Sequence, residues 1–132
     1  MLLDANALLL PARTRFPLES EVDRIRPGAA IVVPSSVRGE LERLVARHVP
    51  GATTAAAVAR KFPELPVTGQ GDTAVLDAAV RHRAWVVTAD RALAERLRGA
   101  GVTVMVPRDR HRLELRRART LPPSEDELSS PE

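Results

Sequence analysis

The chain has 132 residues, enough for one domain with a real core, and contains no cysteine, so disulfides, thiolate metal sites and cysteine nucleophiles are excluded together. Hydrophobic residues make up 44% and aromatic residues only 2%, so the core is expected to be built from Ala, Val, Leu and Ile, and an aromatic stacking platform for single strands is excluded as the main binding device. The formal charge of +3 conceals an uneven distribution, because four acids (Glu125, Asp126, Glu127, Glu132) stand against one arginine in residues 118–132. The body before them is strongly basic, which points to a polyanionic partner.

In chain order, Met1-Leu2-Leu3 reads as the end of a first strand. No stretch approaches the roughly 20 apolar residues of a membrane span, and this opening lacks the form of a signal peptide, so a cytoplasmic protein with no membrane contact is expected. Leu18, Val22 and Ile25 at helical spacing predict a helix over 18–26, stopped by Pro27-Gly28. Ala30-Ile31-Val32-Val33 is a continuous apolar run, the pattern of a strand buried on both faces. Pro34-Ser35-Ser36 then opens a helix with Val37, Leu41, Leu44 and Val45 on one stripe, ending near His48.

A helix over 53–62, a weak strand at Leu65-Pro66-Val67 and a helix over 72–82 follow. Ala84-Trp85-Val86-Val87-Thr88 is the clearest strand, and Asp90 heads a helix to Arg98 that Gly99-Ala100-Gly101 closes. Val102 to Val106 reads as the final strand. Short apolar runs alternating with amphipathic helices predict an α/β fold with a parallel sheet. The expected organisation is a domain over 1–117 and a disordered acidic tail over 118–132, rich in Pro, Ser and acids.

Four acids occupy comparable places in this pattern. Asp4 follows the first strand, Asp90 lies just past the clearest one, Asp72 begins a helix after Gly69-Gln70-Gly71, and Glu40 falls about one turn into the helix after the second strand. All are positions at the carboxyl edge of a parallel sheet, where such folds bind ligands. Asp4, Asp72 and Asp90 are also good helix caps, and Glu40 taken alone reads as a solvated helix acid. Jointly, four carboxylates with no Cys and no spaced His pair suggest an oxygen-only site for Mg²⁺ or Mn²⁺. His48, His82 and His111 form no ligand pattern, and Ser35 and Ser36 lack the context of a hydrolase nucleophile. Gly69-Gln70-Gly71 lacks the third glycine of a dinucleotide fingerprint. Asp77 is turned away from Asp72 on the helix and reads as structural.

These segments carry a resemblance. Met1 to Leu10, an apolar strand running into Asp4-Ala5-Asn6, resembles the opening of a PIN-domain nuclease. Val33 to Leu41 with Glu40, Gly71 to Leu76 with Asp72, and Val86 to Leu93 with Asp90 resemble its second, third and fourth motifs, in the same order over roughly residues 1–107. Departures are Ala5 in place of the usual Thr or Ser, Ala89 in place of Asn, and Thr73 in place of a second acid. The length and the Leu-Leu-Leu-Pro continuation are similar to the short archaeal PIN proteins, related both to toxin nucleases of the VapC type and to nucleases that process ribosomal RNA.

The resemblance implies a three-layer α/β/α fold with a central parallel sheet and a metal-dependent endoribonuclease. Asp4, Glu40, Asp72 and Asp90 would hold Mg²⁺ or Mn²⁺, and Asn6 and Thr88 would orient carboxylates or water. RNA is the implied substrate, and an antitoxin protein is a further expected partner of a toxin-type member. Arg108, Arg110, Arg112, Arg116 and Arg117, in a segment with Arg119, are expected to hold RNA backbone, a solvated basic linker being the alternative. Leu8, Leu9 and Leu10 form an apolar run that suggests a homodimer contact. The competing reading is a catalytically silent PIN-like module for RNA binding or assembly, in which the acids are caps.

Overall fold

The computed structural model describes residues 1–119. The first half holds β1 (Leu2–Leu3), α1 (Ala5–Thr14), α2 (Leu18–Ile25), β2 (Val33–Pro34), α3 (Ser35–Ala46) and α4 (Ala52–Ala59). The second holds β3 (Glu64–Leu65), α5 (Gly71–His82), β4 (Val86–Val87), α6 (Arg91–Gly99), β5 (Val104–Pro107) and β6 (Leu113–Arg116).

Strands β1, β4 and β5 are parallel neighbours, with Leu2 opposite Val86 and Val86 opposite Val104. On the far side β2 pairs with β3, and a parallel bridge between Leu2 and Val32 joins that pair to β1. The order across both pieces is thus β3-β2-β1-β4-β5-β6. The chain builds outward from β1 in one direction, then returns to build from β4 in the other. Right-handed crossovers therefore set α1 to α4 on one face and α5 and α6 on the other, which gives the three expected layers. Contacts of α1 with α2, α3 and α4, and of α5 with α6, lie within these layers, and α3 also meets α5, the two helices that carry Glu40 and Asp72.

The ladders are short because each strand leaves the sheet at once to start a helix, yet pairing continues beyond the named residues. Asp4 N–H donates to the Val87 carbonyl at 3.2 Å and Thr88 N–H to the Met105 carbonyl at 3.1 Å. These bonds fix Asp4 and Thr88 side by side at the carboxyl edge. Leu3, Val33, Val86, Val87, Val104 and Met105 are fully buried, as continuous apolar runs in a doubly covered sheet require. Small side chains make the helical layer tight: Ala52, Ala55, Ala56 and Ala59 of α4 are buried. Gly51, at φ 85°, lies so close to α1 that an added Cβ would stand 3.2 Å from the Ala12 Cβ.

Three expectations are corrected. Val104–Pro107 is not the last strand, because residues after it turn back as β6, antiparallel to β5. The Arg108–Arg119 segment is therefore neither one basic unit nor a linker. Arg108, Arg110 and Arg112 lie in the turn at the carboxyl edge, while Arg116 pairs opposite Val104, the first residue of β5, and Arg117 follows it. The turn is held by Asp109, whose carboxylate accepts from the His111 and Arg112 backbone N–H groups at 2.8 and 2.9 Å. Finally, Leu8 and Leu9 of α1 are buried core residues and Leu10 is half-buried, so this run leaves no broad apolar surface for pairing. Of the residues assigned to a tail, Ala118 and Arg119 bond back to the Thr103 hydroxyl and the Arg98 carbonyl, and 120–132 lie outside the described residues.

Candidate active site

The order of the strands reverses between β1 and β4, and in open α/β sheets ligands sit at the carboxyl ends of the strands at that switch point. The residues immediately after those two strands are Asp4 on one and Thr88 to Asp90 on the other. Asp4 caps α1, its Oδ1 accepting from Ala7 N–H at 2.8 Å. Asp90 caps α6, its Oδ1 accepting from Leu93 N–H at 3.0 Å. The cap reading of both residues is thus correct, and it leaves the remaining oxygen lone pairs of each carboxylate for other partners.

Thr88 ties the two together. Its hydroxyl is fully buried, donates to Asp4 Oδ2, and accepts the Asp90 backbone N–H at 3.0 Å. Asn6 does not share this role: its side chain is exposed in the first turn of α1 and makes no hydrogen bond among the described residues.

Glu40 and Asp72 reach the same edge from α3 and α5, the helices that follow β2 and β3. Electrostatics links all four acids. Asp4 is 4% exposed, and this burial pushes its carboxyl up to about 7, against the bonds from Thr88 and Ala7 and with the charges of Glu40 and Asp90 adding to the rise. Glu40 is raised by desolvation of its carboxyl, opposed by Arg43 one turn on, and raised further by Asp72. Asp72 faces solvent, with Arg96 Nη1 of α6 at 4.0 Å from its Oδ2. Among the described residues, no three acids or histidines are already gathered at metal-holding distance.

The donor set nonetheless fits a hard divalent cation. It is all oxygen, no lysine or arginine is among the groups acting on Asp4, and a cation would offset both the burial that chiefly raises Asp4 and Glu40 and the repulsion that adds to it. Ser36 adds a further oxygen. It precedes Glu40 by one turn on the same helical face, and its hydroxyl is buried with no hydrogen-bond partner in the protein. The i, i+4 spacing of Ser36 and Glu40 was the available signal for it. The Gly69-Gln70-Gly71 turn is explained without a phosphate fingerprint: Gly69 and Gly71 sit at φ 82° and 69°, which starts α5 so that Asp72 falls in its first turn.

Other residues behave as surface or scaffold. His48, His82 and His111 are exposed, and Asp77 pairs with Arg81 at 3.2 Å. Arg38 of α3 closes the end of α4 by donating to the Ala59 and Phe62 carbonyls while pairing with Glu64 at 3.0 Å. In the described residues, no helix is long and apolar enough to cross a membrane.

A search of curated proteins finds none that matches this chain. Among solved structures, that of the PIN domain endonuclease Utp24 is similar, with a TM-score of 0.76 at 19% identity, covering 92% of this chain and 93% of that one. Identity this low speaks for the fold alone, and it is the fold that the strand order above describes. The family model for a PIN-like domain matches residues 1–110, which span all four acids and every element through β5. The chain belongs to the PIN-like domain family.

Proposed function

We propose that the chain is a metal-dependent endoribonuclease that hydrolyses RNA phosphodiester bonds at the edge formed by Asp4, Glu40, Asp72 and Asp90. The observation that carries this reading is the placement of Asp4: a buried carboxylate at the switch point, held by Thr88 and pushed up to about 7. A carboxyl that merely capped α1 would be better placed in water. Keeping it buried beside Asp90 and Glu40 disfavours the apo protein and favours a bound cation.

In this reading Asp4 is the central ligand for Mg²⁺ or Mn²⁺, and Asp90, Glu40 and Asp72 complete the set, Asp72 leaving Arg96 to do so. Bound there, the divalent ion supplies water activation and neutralises charge on the phosphate and leaving oxygen. Thr88 fixes the Asp4 carboxylate plane, and Asn6, exposed at the same edge, is available to the substrate or its water. Arg108, Arg110 and Arg112, in the β5–β6 turn at the carboxyl end of β5, are suited to sequence-blind contact with RNA phosphates, with Arg116 and Arg117 farther along β6. The roles compatible with such an activity are an RNA-processing nuclease or a toxin nuclease held by an antitoxin protein.

The decisive assay follows cleavage of a labelled RNA by the full chain in Mn²⁺, Mg²⁺ and EDTA, beside Asp4→Asn. Cleavage that needs the cation and vanishes in the variant supports the proposal. A second reading, a silent RNA-binding module, draws on the Arg96 contact to Asp72 and the ungathered acids. RNA binding without cleavage in either cation would favour it.

A further inference from the structure

Two adjoining cavities of about 410 and 460 Å³ run along the amino edge of the sheet, opposite the acids. Arg83 and Ala84 line both, so the two form one groove. Its apolar part is made by Val80 of α5, Trp85 just before β4 and Val102 before β5. Val80 is 49% exposed, alone among the large hydrophobic side chains of the described residues. The polar part carries Arg26, His82 and Arg83 and no carboxylate. Trp85 joins the two parts, because Arg26 lies over its ring at 4.2 Å.

Arg26 and Arg83 make no ion pair among the described residues, whereas Arg24 and Arg81 close by are paired with Glu21 and Asp77. Asp23, the acid three residues before Arg26, accepts the Gly28 N–H at 3.2 Å. Both arginines cap helices, α2 and α5, where the dipole favours a cation. That accounts for their place and brings no counter-charge. The chain itself leaves the described residues at this groove. Strand β6 runs antiparallel to β5 and so ends at the amino edge. The Ala118 N–H then bonds the hydroxyl of Thr103, which lines the groove, at 3.3 Å. Beyond Arg119 come Leu121-Pro122-Pro123 and then Glu125-Asp126-Glu127, and residues 120–132 contain no Lys, Arg or His.

We propose that this segment of the chain occupies the groove, with Leu121-Pro122-Pro123 against Val80 and Trp85, and Glu125-Asp126-Glu127 against Arg83 and Arg26. The order of the residues matches the order of the surfaces. The apolar part adjoins Thr103, where the chain leaves, and the cationic part lies farther on, past Trp85 toward β1. The length suffices. An extended chain covers about 3.3 Å per residue, so Glu125 to Glu127 reach roughly 20–26 Å from Arg119. The two sheet spacings from β5 to β1 take only about 10 Å. Exposed ion pairs are individually weak, but a short tether holds the acids at an effective concentration on the order of millimolar. Docked there, the three acids lie on the edge opposite Asp4 and Asp90, away from the face that the proposed function gives to RNA. The docking itself does not rest on that function.

Trp85 is the single tryptophan, so quenching of its emission by acrylamide reads the groove directly in the full chain. The variant Glu125→Gln/Asp126→Gln/Glu127→Gln alters none of the described residues. At low salt it should raise the quenching constant about twofold, the effect of losing several exposed ion pairs. Salt of about 0.5 M should bring the wild-type chain to the same level, because exposed charges are then screened. Arg83→Gln should reproduce the rise in the wild-type background and add nothing in the Gln variant. Arg108→Gln/Arg110→Gln, at the opposite edge, should leave quenching unchanged. Unchanged quenching in the Gln variant overturns the proposal, and so do additive effects of that variant and Arg83→Gln. A rise from Arg108→Gln/Arg110→Gln with Arg83→Gln silent would seat the acids against the hairpin turn, which also overturns it. A tethered segment shields Trp85 equally over about a hundredfold range of protein concentration. Shielding that grows with concentration would make a second copy of the chain the occupant and overturn the proposal as well.

Discussion

The Thr88 hydroxyl donates to the Asp4 carboxylate across two adjacent parallel strands, while its oxygen receives the Asp90 backbone N–H at 3.0 Å. One buried hydroxyl thereby sets the position of an acid from β1 relative to an acid from β4. Replacing it with the isosteric Val keeps the volume and removes both bonds. Thr88→Val should lower stability by about 1–3 kcal/mol, since the Asp90 N–H and Asp4 Oδ2 lose their partner. RNA cleavage should fall at least tenfold, a much larger loss than the fraction unfolded explains. Urea unfolding and single-turnover cleavage on the same preparation separate the two effects.

The raised Asp4 carboxyl gives the metal-free protein a pH dependence of definite sign. The folded value of about 7 lies above the ordinary 3.8, so the unfolded chain ionises first. The contribution of Asp4 to stability is fully retained below about pH 4, declines as pH rises from there to about 7, and levels off above it. The span of the shift corresponds to at most about 4 kcal/mol, at about 1.4 kcal/mol per pH unit. Asp4→Asn should flatten this decline in EDTA, and added Mn²⁺ should reverse it in the wild-type chain. Denaturant midpoints at pH 4.5, 6 and 7.5 measure it; parallel profiles for wild type and variant would remove Asp4 as the cause.

Arg96 holds Asp72 from the neighbouring helix at 4.0 Å. The pair is exposed, so its own stability contribution is within about 1 kcal/mol. If Asp72 is a ligand, this guanidinium competes with the cation for it. Arg96→Gln should then tighten Mn²⁺ binding by up to about fivefold with little change in melting temperature. Calorimetric titration that shows equal or weaker affinity would place Asp72 outside the ligand set.

The edge strand β6 pairs with β5 on one side, and a single acid ties its start to α2. Glu21 of α2 accepts the Leu113 N–H at 2.8 Å, and Arg24, paired with Glu21 at 2.9 Å, donates to the Leu113 carbonyl at 3.0 Å. Glu21→Ala should cost about 1–3 kcal/mol by orphaning the buried N–H. It should also speed amide exchange at Leu113 and Leu115 relative to β4. The Glu21 carboxyl is held below its usual range, chiefly by Arg24, so its contribution is present at neutral pH and lost on acidification below the ordinary 4.5. Unchanged exchange in β6 would mean that pairing with β5 alone holds the strand.

Much of this architecture is legible in the chain itself. The buried strands announce themselves as apolar runs, such as Ile31-Val32-Val33 and Trp85-Val86-Val87, because both faces are covered. The helices show in the Leu and Val stripes and in the Asp4 and Asp90 caps. Strand β6 is hidden because Leu113 is its one fully buried residue, and Glu114 and Arg116 on its other face read as a charged linker. Its start is bonded to Glu21, a contact distant in sequence that no local pattern reveals. For the site, Asp4, Asp90 and Thr88 are marked by strand ends. Ser36 escapes notice because its meaning lies in its surroundings, where its buried hydroxyl has no hydrogen-bond partner.

The central claim is that the four acids hold a divalent cation around Asp4. A crystal of the full chain soaked in Mn²⁺ and measured at the manganese absorption edge tests it directly. The expected result is an anomalous peak within about 2.0–2.3 Å of an Asp4 oxygen, a typical range for small oxygen-bound divalent ions, with Asp90 and at least one of Glu40 and Asp72 also in contact. The peak should be absent from Asp4→Asn crystals. No peak at this edge in the wild-type chain, with manganese ordered elsewhere or nowhere, would contradict the account.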